Sequence, residues 1–128
     1  MGASRVIDST DPAALQTIAG QLNFILSTVN VLLDWDKYIG CLAPKGKFHT
    51  VGIVPEPISV AAFPLIAGQK SVGGSPGGGP AIIKTMLDFC VRHNIYPTVE
   101  EFPMEQVNEA ISRLEAGKAR YRIVLKRV

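Results

Sequence analysis

The sequence predicts an α/β fold built on a mainly parallel sheet, and three observations carry that expectation. Short apolar runs rich in Val, Ile and Phe alternate with longer segments whose apolar residues recur three and four positions apart, so successive strands need crossover connections. The stretch Gln69 to Pro80, Gln-Lys-Ser-Val-Gly-Gly-Ser-Pro-Gly-Gly-Gly-Pro, leads an extended run through clustered glycines straight into a striped helix. The 128 residues, 47% apolar and only 19% charged, can build a core without disulfides and should cover many segments on more than one side.

Arg5 to Ser9, with Val6 and Ile7, reads as a short strand. Asp11 as N-cap and Pro12 at the first helical position then open a helix with the stripe Ala14, Leu15, Ile18, Ala19 and Leu22, ended near Gly20. Phe24 to Val29 is a compact apolar run, expected as a strand covered on both faces. Asp34 to Leu42 predicts a short helix with Trp35, Tyr38, Ile39 and Leu42 inward, and Pro44-Lys45-Gly46 a turn. Lys47 to Val54 is the next strand; its Gly52 removes a side chain where a ligand could come close. Pro55 and Pro57 enforce a loop.

Val60 to Gly68 reads as a short helix or turn with Pro64 near its start or kinking it, and Lys70 to Ser75 as a strand. Gly73, Gly74, Gly77, Gly78 and Gly79 allow positive φ and close backbone approach. Pro80 to Asn94 is the most strongly patterned helix, with Ile82, Ile83, Met86, Leu87, Phe89 and Cys90 in a stripe so wide that both flanks should be buried. Asn94 suits its C-terminal cap. Pro97 to Phe102 is extended. A helix from about Met104 carries Val107, Ala110, Ile111 and Leu114 and stops at Gly117, before a last strand at Tyr121 to Leu125.

A formal charge of +2, with Lys118, Arg120, Arg122, Lys126 and Arg127 gathered near one end but no long basic run, argues against nucleic acid as a partner. No apolar run approaches the roughly 18 residues of a membrane span. Val6 stands where a myristoylation signal needs Ser or Thr, and no signal peptide is visible, so the cytoplasm is the expected location. Cys41 and Cys90 are far apart and expected as buried thiols. His49 and His93 lack partners at metal-ligand spacing, and no metal site is expected.

The glycine stretch is neither G-x-G-x-x-G nor a P-loop. It is open to two readings: a tight strand-to-helix connection, or a place where bare helix N-terminal amides meet a phosphate or a carbonyl oxygen. In open parallel sheets, ligands bind outside the carboxyl ends of the strands. Those ends are Thr28-Val29, Val51-Gly52-Ile53 and Gly74-Ser75, three segments that should converge on one crevice.

Seven stretches taken together are specific: Gly2 to Ser9, Phe24 to Val29, Leu42 to Gly46 running into Val51-Gly52, Ser71 to Ser75, Met86 to Cys90, Gln106 to Ala110, and Arg120 to Arg122. In that order they resemble the C-terminal part of a zinc-dependent medium-chain alcohol dehydrogenase of the cinnamyl alcohol dehydrogenase group, over almost the whole chain. The resemblance implies NADP-linked interconversion of alcohols and aldehydes, with the substrate carbonyl polarised by zinc. It implies that Thr28 and Val29 flank the cofactor, and that Val51, Gly52 and Ile53 line the nicotinamide with backbone contact to its carboxamide. Main-chain groups of Gly74, Ser75 and Gly77 come next. Arg122, or Arg120 on the same strand face, approaches the phosphates.

The family's zinc ligands, structural zinc cysteines and phosphate loop have no equivalent among these residues, so no catalytic residue is assigned and the chain alone is expected to be inactive. Cofactor binding is expected to be weak or absent. The fold implied is a partial Rossmann-type, doubly wound sheet lacking its first two strands, residues 1–76, followed by a strand-helix-strand tail of the catalytic domain, residues 77–128. With strand order 3-2-1-4-5-6, the missing pair leaves a gap of about 14 Å, so the strand at Arg5 to Asp8 must detach, find a new partner or come from another copy. The strand at Phe24 to Val29 becomes an open edge. The resemblance also implies that the strand like Lys70 to Ser75 joins its twin across a two-fold axis, so a homodimer or larger assembly, with strand swapping open to it, is the expected partner state. The alternative function is a non-catalytic module that oligomerises or binds nucleotide weakly; an unrelated flavodoxin-like or P-loop binder lacks any matching phosphate loop.

Overall fold

The computed structural model describes residues 2–127 and divides into two compact units, Met1–Gly77 and Gly78–Val128. In the first, helix α1 (Pro12–Gln16) precedes strand β1 (Leu22–Ser27), helix α2 (Trp35–Cys41), strand β2 (Leu42–Thr50), helix α3 (Ala62–Gly68) and strand β3 (Ser71–Gly74). The three strands form one parallel sheet in the order β1-β2-β3. The second unit holds helix α4 (Pro80–Arg92), strand β4 (Val99–Pro103), a 3₁₀ turn (Met104–Gln106), helix α5 (Val107–Glu115) and strand β5 (Arg122–Lys126). There β4 and β5 pair in parallel. The three-stranded parallel sheet of the first unit, with its helices, is a partial Rossmann-type arrangement.

Residues 5–9, expected as a strand, form none. Strand geometry is held by inter-strand hydrogen bonds, and this segment has no neighbour to supply them; Val6 is exposed and Arg5 is tied instead to the Thr17 hydroxyl at 2.7 Å. Asp11 caps α1 as anticipated, its carboxylate accepting from the Ala13 N–H at 2.9 Å with Pro12 following. The helix stops earlier than its stripe suggested. Turns carry the chain to Gly20, at φ +69°, and Leu22 begins β1 rather than completing the helix.

The core of the first unit is Trp35, Ile39, Leu42 and Phe48, with the Trp35 ring edge-on to Phe48 at 5.7 Å. Leu42 is buried as expected but as the first residue of β2. Pro44-Lys45-Gly46 turns inside that strand: Leu22 pairs with Leu42 and Phe24 with Lys47, so the extra residues loop out as a bulge with Lys45 at φ 63°. Lys70 Nζ reaches the Ile39 carbonyl at 2.8 Å, a cation placed at the C-terminal end of α2.

Only one face of this sheet is covered. Ile25 and Phe48 look into the core, whereas Phe24 and Leu26, on the other face, are 55% and 53% exposed. The double coverage expected of β1 is therefore absent. The same holds for α4, where Ile82, Ile83, Met86, Leu87 and Phe89 are all exposed and Cys90 is half-buried; only Cys41 is a buried thiol. The reason is size: a unit of this length leaves a large part of its chain surface in water.

Pro80 opens α4 and a Schellman-type cap closes it. Asn94 sits at φ 53°, its N–H donates to the Val91 carbonyl at 3.3 Å, and Ile95 N–H donates to the Cys90 carbonyl at 2.9 Å. The glycines before it do not use their freedom as expected, since none of Gly73, Gly74, Gly77, Gly78 and Gly79 takes positive φ. Gly117, by contrast, ends the last helix region at φ +65°.

The β4–β5 pair is fastened by Glu100. Its carboxylate accepts from Arg113 Nε at 2.5 Å and Nη2 at 3.2 Å, and from the Arg120 N–H at 2.8 Å. The Arg113 hydrogen bond, then the Arg120 backbone bond, holds the Glu100 carboxyl below its ordinary value. A group whose pKa is lowered by folding stabilises the fold above its unfolded pKa, and that contribution is lost as pH falls through the lower folded value. The second unit is therefore expected to loosen in acid, and Glu100→Gln to flatten that part of the pH dependence of thermal unfolding; an unchanged acid limb would show that Glu100 does not set it.

Candidate functional site

The carboxyl ends of β1, β2 and β3 come together as the alternation requires. Ser27 at the end of β1 lends its carbonyl to the Val51 N–H at 2.9 Å and the Gly52 N–H at 3.3 Å. Ser75 N–H bonds the Thr50 carbonyl at 3.2 Å, which ties the end of β3 to the end of β2. Thr28, Val29, Val51, Gly52, Ile53, Gly74 and Ser75 thus sit along one edge of the sheet, in irregular backbone beyond or at the last paired residues.

Gly52 earns its lack of a side chain within the chain itself. A Cβ there would strike the Val29 carbonyl oxygen and lie 2.8 Å from the Thr28 carbonyl carbon, so what comes close is backbone of the neighbouring strand end. A Cβ at Gly74 would stand 3.1 Å from the Thr50 carbonyl oxygen. A Cβ at Gly77 would meet nothing within 4 Å. The first-turn N–H groups of α4 carry no side-chain cap, Gly79 being the N-cap residue.

The polar groups on offer follow from this accounting. The N–H groups of Val51, Gly52 and Ser75 are spent inside the fold, and the Gly52 carbonyl accepts from Thr50 Oγ1 at 3.2 Å. Among the described residues the Ile53 N–H has no partner, and the Ile53 side chain is exposed.

Beside this edge lies a pair that sequence reasoning missed. His49 Nε2 and Ser75 Oγ are 2.9 Å apart, and the imidazole stacks on Phe24 with ring centroids 6.3 Å apart. Nothing local marks it. His49 pairs with Gly73 across β2 and β3, and only that register brings residue 75 over residue 49.

Arg122 belongs to the second unit, where it starts β5 and lines an apolar pocket of about 590 Å³ with Met86, Leu87, Cys90 and Tyr96. Arg120 does not share a strand face with it, as had been expected. It precedes the strand, its N–H is held by Glu100, and Tyr121 at φ 75° breaks the alternation between them.

Among the described residues no group of three or more His, Cys, Asp or Glu side chains is placed to hold a metal ion. The residues present therefore do not fit the zinc of the resembling family. No helix among the described residues is long and apolar enough to cross a membrane.

Comparison with known proteins agrees with this architecture. Residues 1–92 match the model of the zinc-binding dehydrogenase family. The chain is 55% identical over 125 residues to an aldehyde reductase of Synechocystis sp., covering 98% of this chain but 37% of that protein. A probable cinnamyl alcohol dehydrogenase of Arabidopsis thaliana is 34% identical over 125 residues. Among solved structures, a cinnamyl alcohol dehydrogenase of Sorghum bicolor superposes with a TM-score of 0.86 at 34% identity, over 97% of this chain and 35% of that one. That of Helicobacter pylori, complexed with NADP(H), superposes with a TM-score of 0.70 at 32% identity, over 91% of this chain and 33% of that one. The chain spans about a third of the length of these relatives, at 33% to 37%. On the family match and the superposed fold together, the chain belongs to the zinc-binding dehydrogenase family.

Proposed function

We propose that this chain is a piece of an NADP-dependent alcohol and aldehyde oxidoreductase, inactive alone, that forms one side of a nicotinamide site. Residues 1–76 are the distal half of the dinucleotide-binding domain and residues 77–128 the C-terminal segment of the catalytic domain. The supporting observation is the meeting of Thr28-Val29, Val51-Gly52-Ile53 and Gly74-Ser75 at the carboxyl edge of a parallel sheet, where ligands of such sheets bind. Gly77 supplies open main chain next to that edge; a role for Arg122 toward the cofactor phosphates rests on the resemblance alone. Zinc, when bound elsewhere in a complete enzyme of the family, supplies polarisation of the carbonyl; this chain's part is to shape and orient.

Exposed strand edges and the bare face at Phe24 and Leu26 favour self-assembly, as a homodimer or larger oligomer in the cytoplasm with strand exchange open to it. They also favour the second reading, a non-catalytic module that oligomerises or binds nucleotide weakly.

Titration of NADPH, followed by its fluorescence, together with an assay on an aromatic aldehyde with added zinc tests both. Weak or absent NADPH binding with no turnover is the expected result, and any binding seen should fall in Arg122→Ala. Turnover by the chain alone would overturn the inactive-piece reading, and tight NADPH binding would overturn the expectation that the phosphate loop is needed to hold the cofactor.

A further inference from the structure

Ser75 is tied to β2 twice. Its N–H donates to the Thr50 carbonyl at 3.2 Å, and its Oγ stands 2.9 Å from Nε2 of His49, the neighbouring residue of the same strand. We propose that His49 is a positioning residue: through the Ser75 hydroxyl it holds the end of β3, so that the Ser75 main chain presents one fixed geometry to the carboxamide of a nicotinamide. This rests on the nicotinamide reading above and names a side chain that serves it.

Alternation along β2 sends Phe48 into the core and His49 to the opposite face. Register sets Leu26 of β1 on one side of His49 and Gly73 of β3 on the other. From the β1 side the Phe24 ring stacks on the imidazole, with centroids 6.3 Å apart and planes inclined by 24°. On the β3 side a Cβ at Gly73 would stand 3.7 Å from His49 Nδ1 and meet nothing else within 4 Å. Aromatic backing on one flank and a missing side chain on the other leave the imidazole a clear path over β3 to residue 75.

Ser75 is the first residue past β3 and opens Ser-Pro-Gly-Gly-Gly, a stretch whose glycines have the most conformational freedom to lose. One main-chain bond leaves such a residue free to swing about it, and the side-chain bond fixes a second point. The Ser75 hydroxyl can donate or accept, so the bond survives whichever imidazole nitrogen carries the proton.

The groups left over at this edge fit a primary carboxamide. Among the described residues the Ile53 N–H has no partner, and nothing bonds the Ser75 carbonyl. One donor and one acceptor are the complement of the carboxamide oxygen and amino group. With the Ser75 N–H spent on Thr50, its carbonyl is the main-chain group it has to offer.

Amide exchange of the full chain, read by NMR with no cofactor added, tests this. His49→Phe keeps a ring to stack on Phe24 but removes the nitrogens, and should speed exchange of the Ser75 N–H about fivefold, the net worth of one hydrogen bond. His49→Gln, whose carboxamide can donate or accept, should restore the parent rate. Ser75→Ala should speed the amide of residue 75 as much, and the double variant no more than either single one. The Val51 N–H, bonded to the Ser27 carbonyl at the neighbouring strand end, should not move in any of them. Any NADPH binding should weaken in step, about fivefold in His49→Phe and not in His49→Gln. An unchanged Ser75 rate in His49→Phe, additive effects in the double variant, equal acceleration at Val51, or NADPH binding indifferent to His49→Phe would each overturn the proposal. Turnover by the chain alone would overturn the inactive-piece reading and leave these exchange rates as they are, so the two fail separately.

Discussion

Replacing Gly52 by alanine is expected to destabilise the first unit by about 3 kcal/mol, the upper part of the range for overpacking a filled site. The added methyl would meet the Val29 carbonyl and the Thr28 carbonyl carbon, and both are main chain. A side chain could rotate aside, but here the end of β1 would have to leave β2, giving up the Ser27 carbonyl bonds to Val51 and Gly52. Urea unfolding followed by far-ultraviolet circular dichroism reads this as a fall in midpoint at constant slope. Gly77→Ala is the companion measurement. With nothing within 4 Å of the added methyl and no positive φ at Gly77, it should be neutral or stabilising by up to about 1 kcal/mol through a less flexible unfolded chain. Equal effects at the two glycines would show that the contact between the strand ends is not what Gly52 serves.

Trp35→Ala should cost the same unit about 3 to 5 kcal/mol. Trp35 is 3% exposed, stands edge-on to Phe48 and packs with Ile39 and Leu42, so its removal leaves a hole in the middle of the only buried cluster described for this unit. Small domains hold roughly 5 kcal/mol in all, which puts the variant at or below the limit of folding. As Trp35 is the sole tryptophan, its loss removes the intrinsic fluorescence signal, and the cooperative melt in circular dichroism is the quantity to follow. Ile39→Val, a single methylene, should cost about 1 kcal/mol. A Trp35→Ala chain that melts like the parent would mean that β2 does not pack on α2 as described.

What could be read from the residues was governed by local rules. Asp11 and Pro12 at the start of α1, Pro80 at the start of α4, and Gly20, Asn94 and Gly117 in left-handed conformation after helices are all consequences of a few adjacent residues. The strand-helix alternation was equally visible, and with it the parallel pairing and the carboxyl-end edge. Expectations went astray where a neighbour decided. Arg5 to Ser9 has strand-like residues but nothing to pair with, and the apolar stripe of α4 promised burial that a unit of 51 residues, Gly78–Val128, does not provide.

The site divides in the same way. Gly52 was legible as a place of close approach, but its visitor turned out to be the Val29 carbonyl. The His49–Ser75 bond depends on register and on which face a residue takes, quantities that no window of sequence contains. By itself the sequence determined the order and kind of elements, the caps that bound them and the resemblance that the family match upholds. Tertiary structure alone decided which surfaces stay bare and which amides are already spent, because hydrogen bonds between strands and burial between layers join residues distant along the chain.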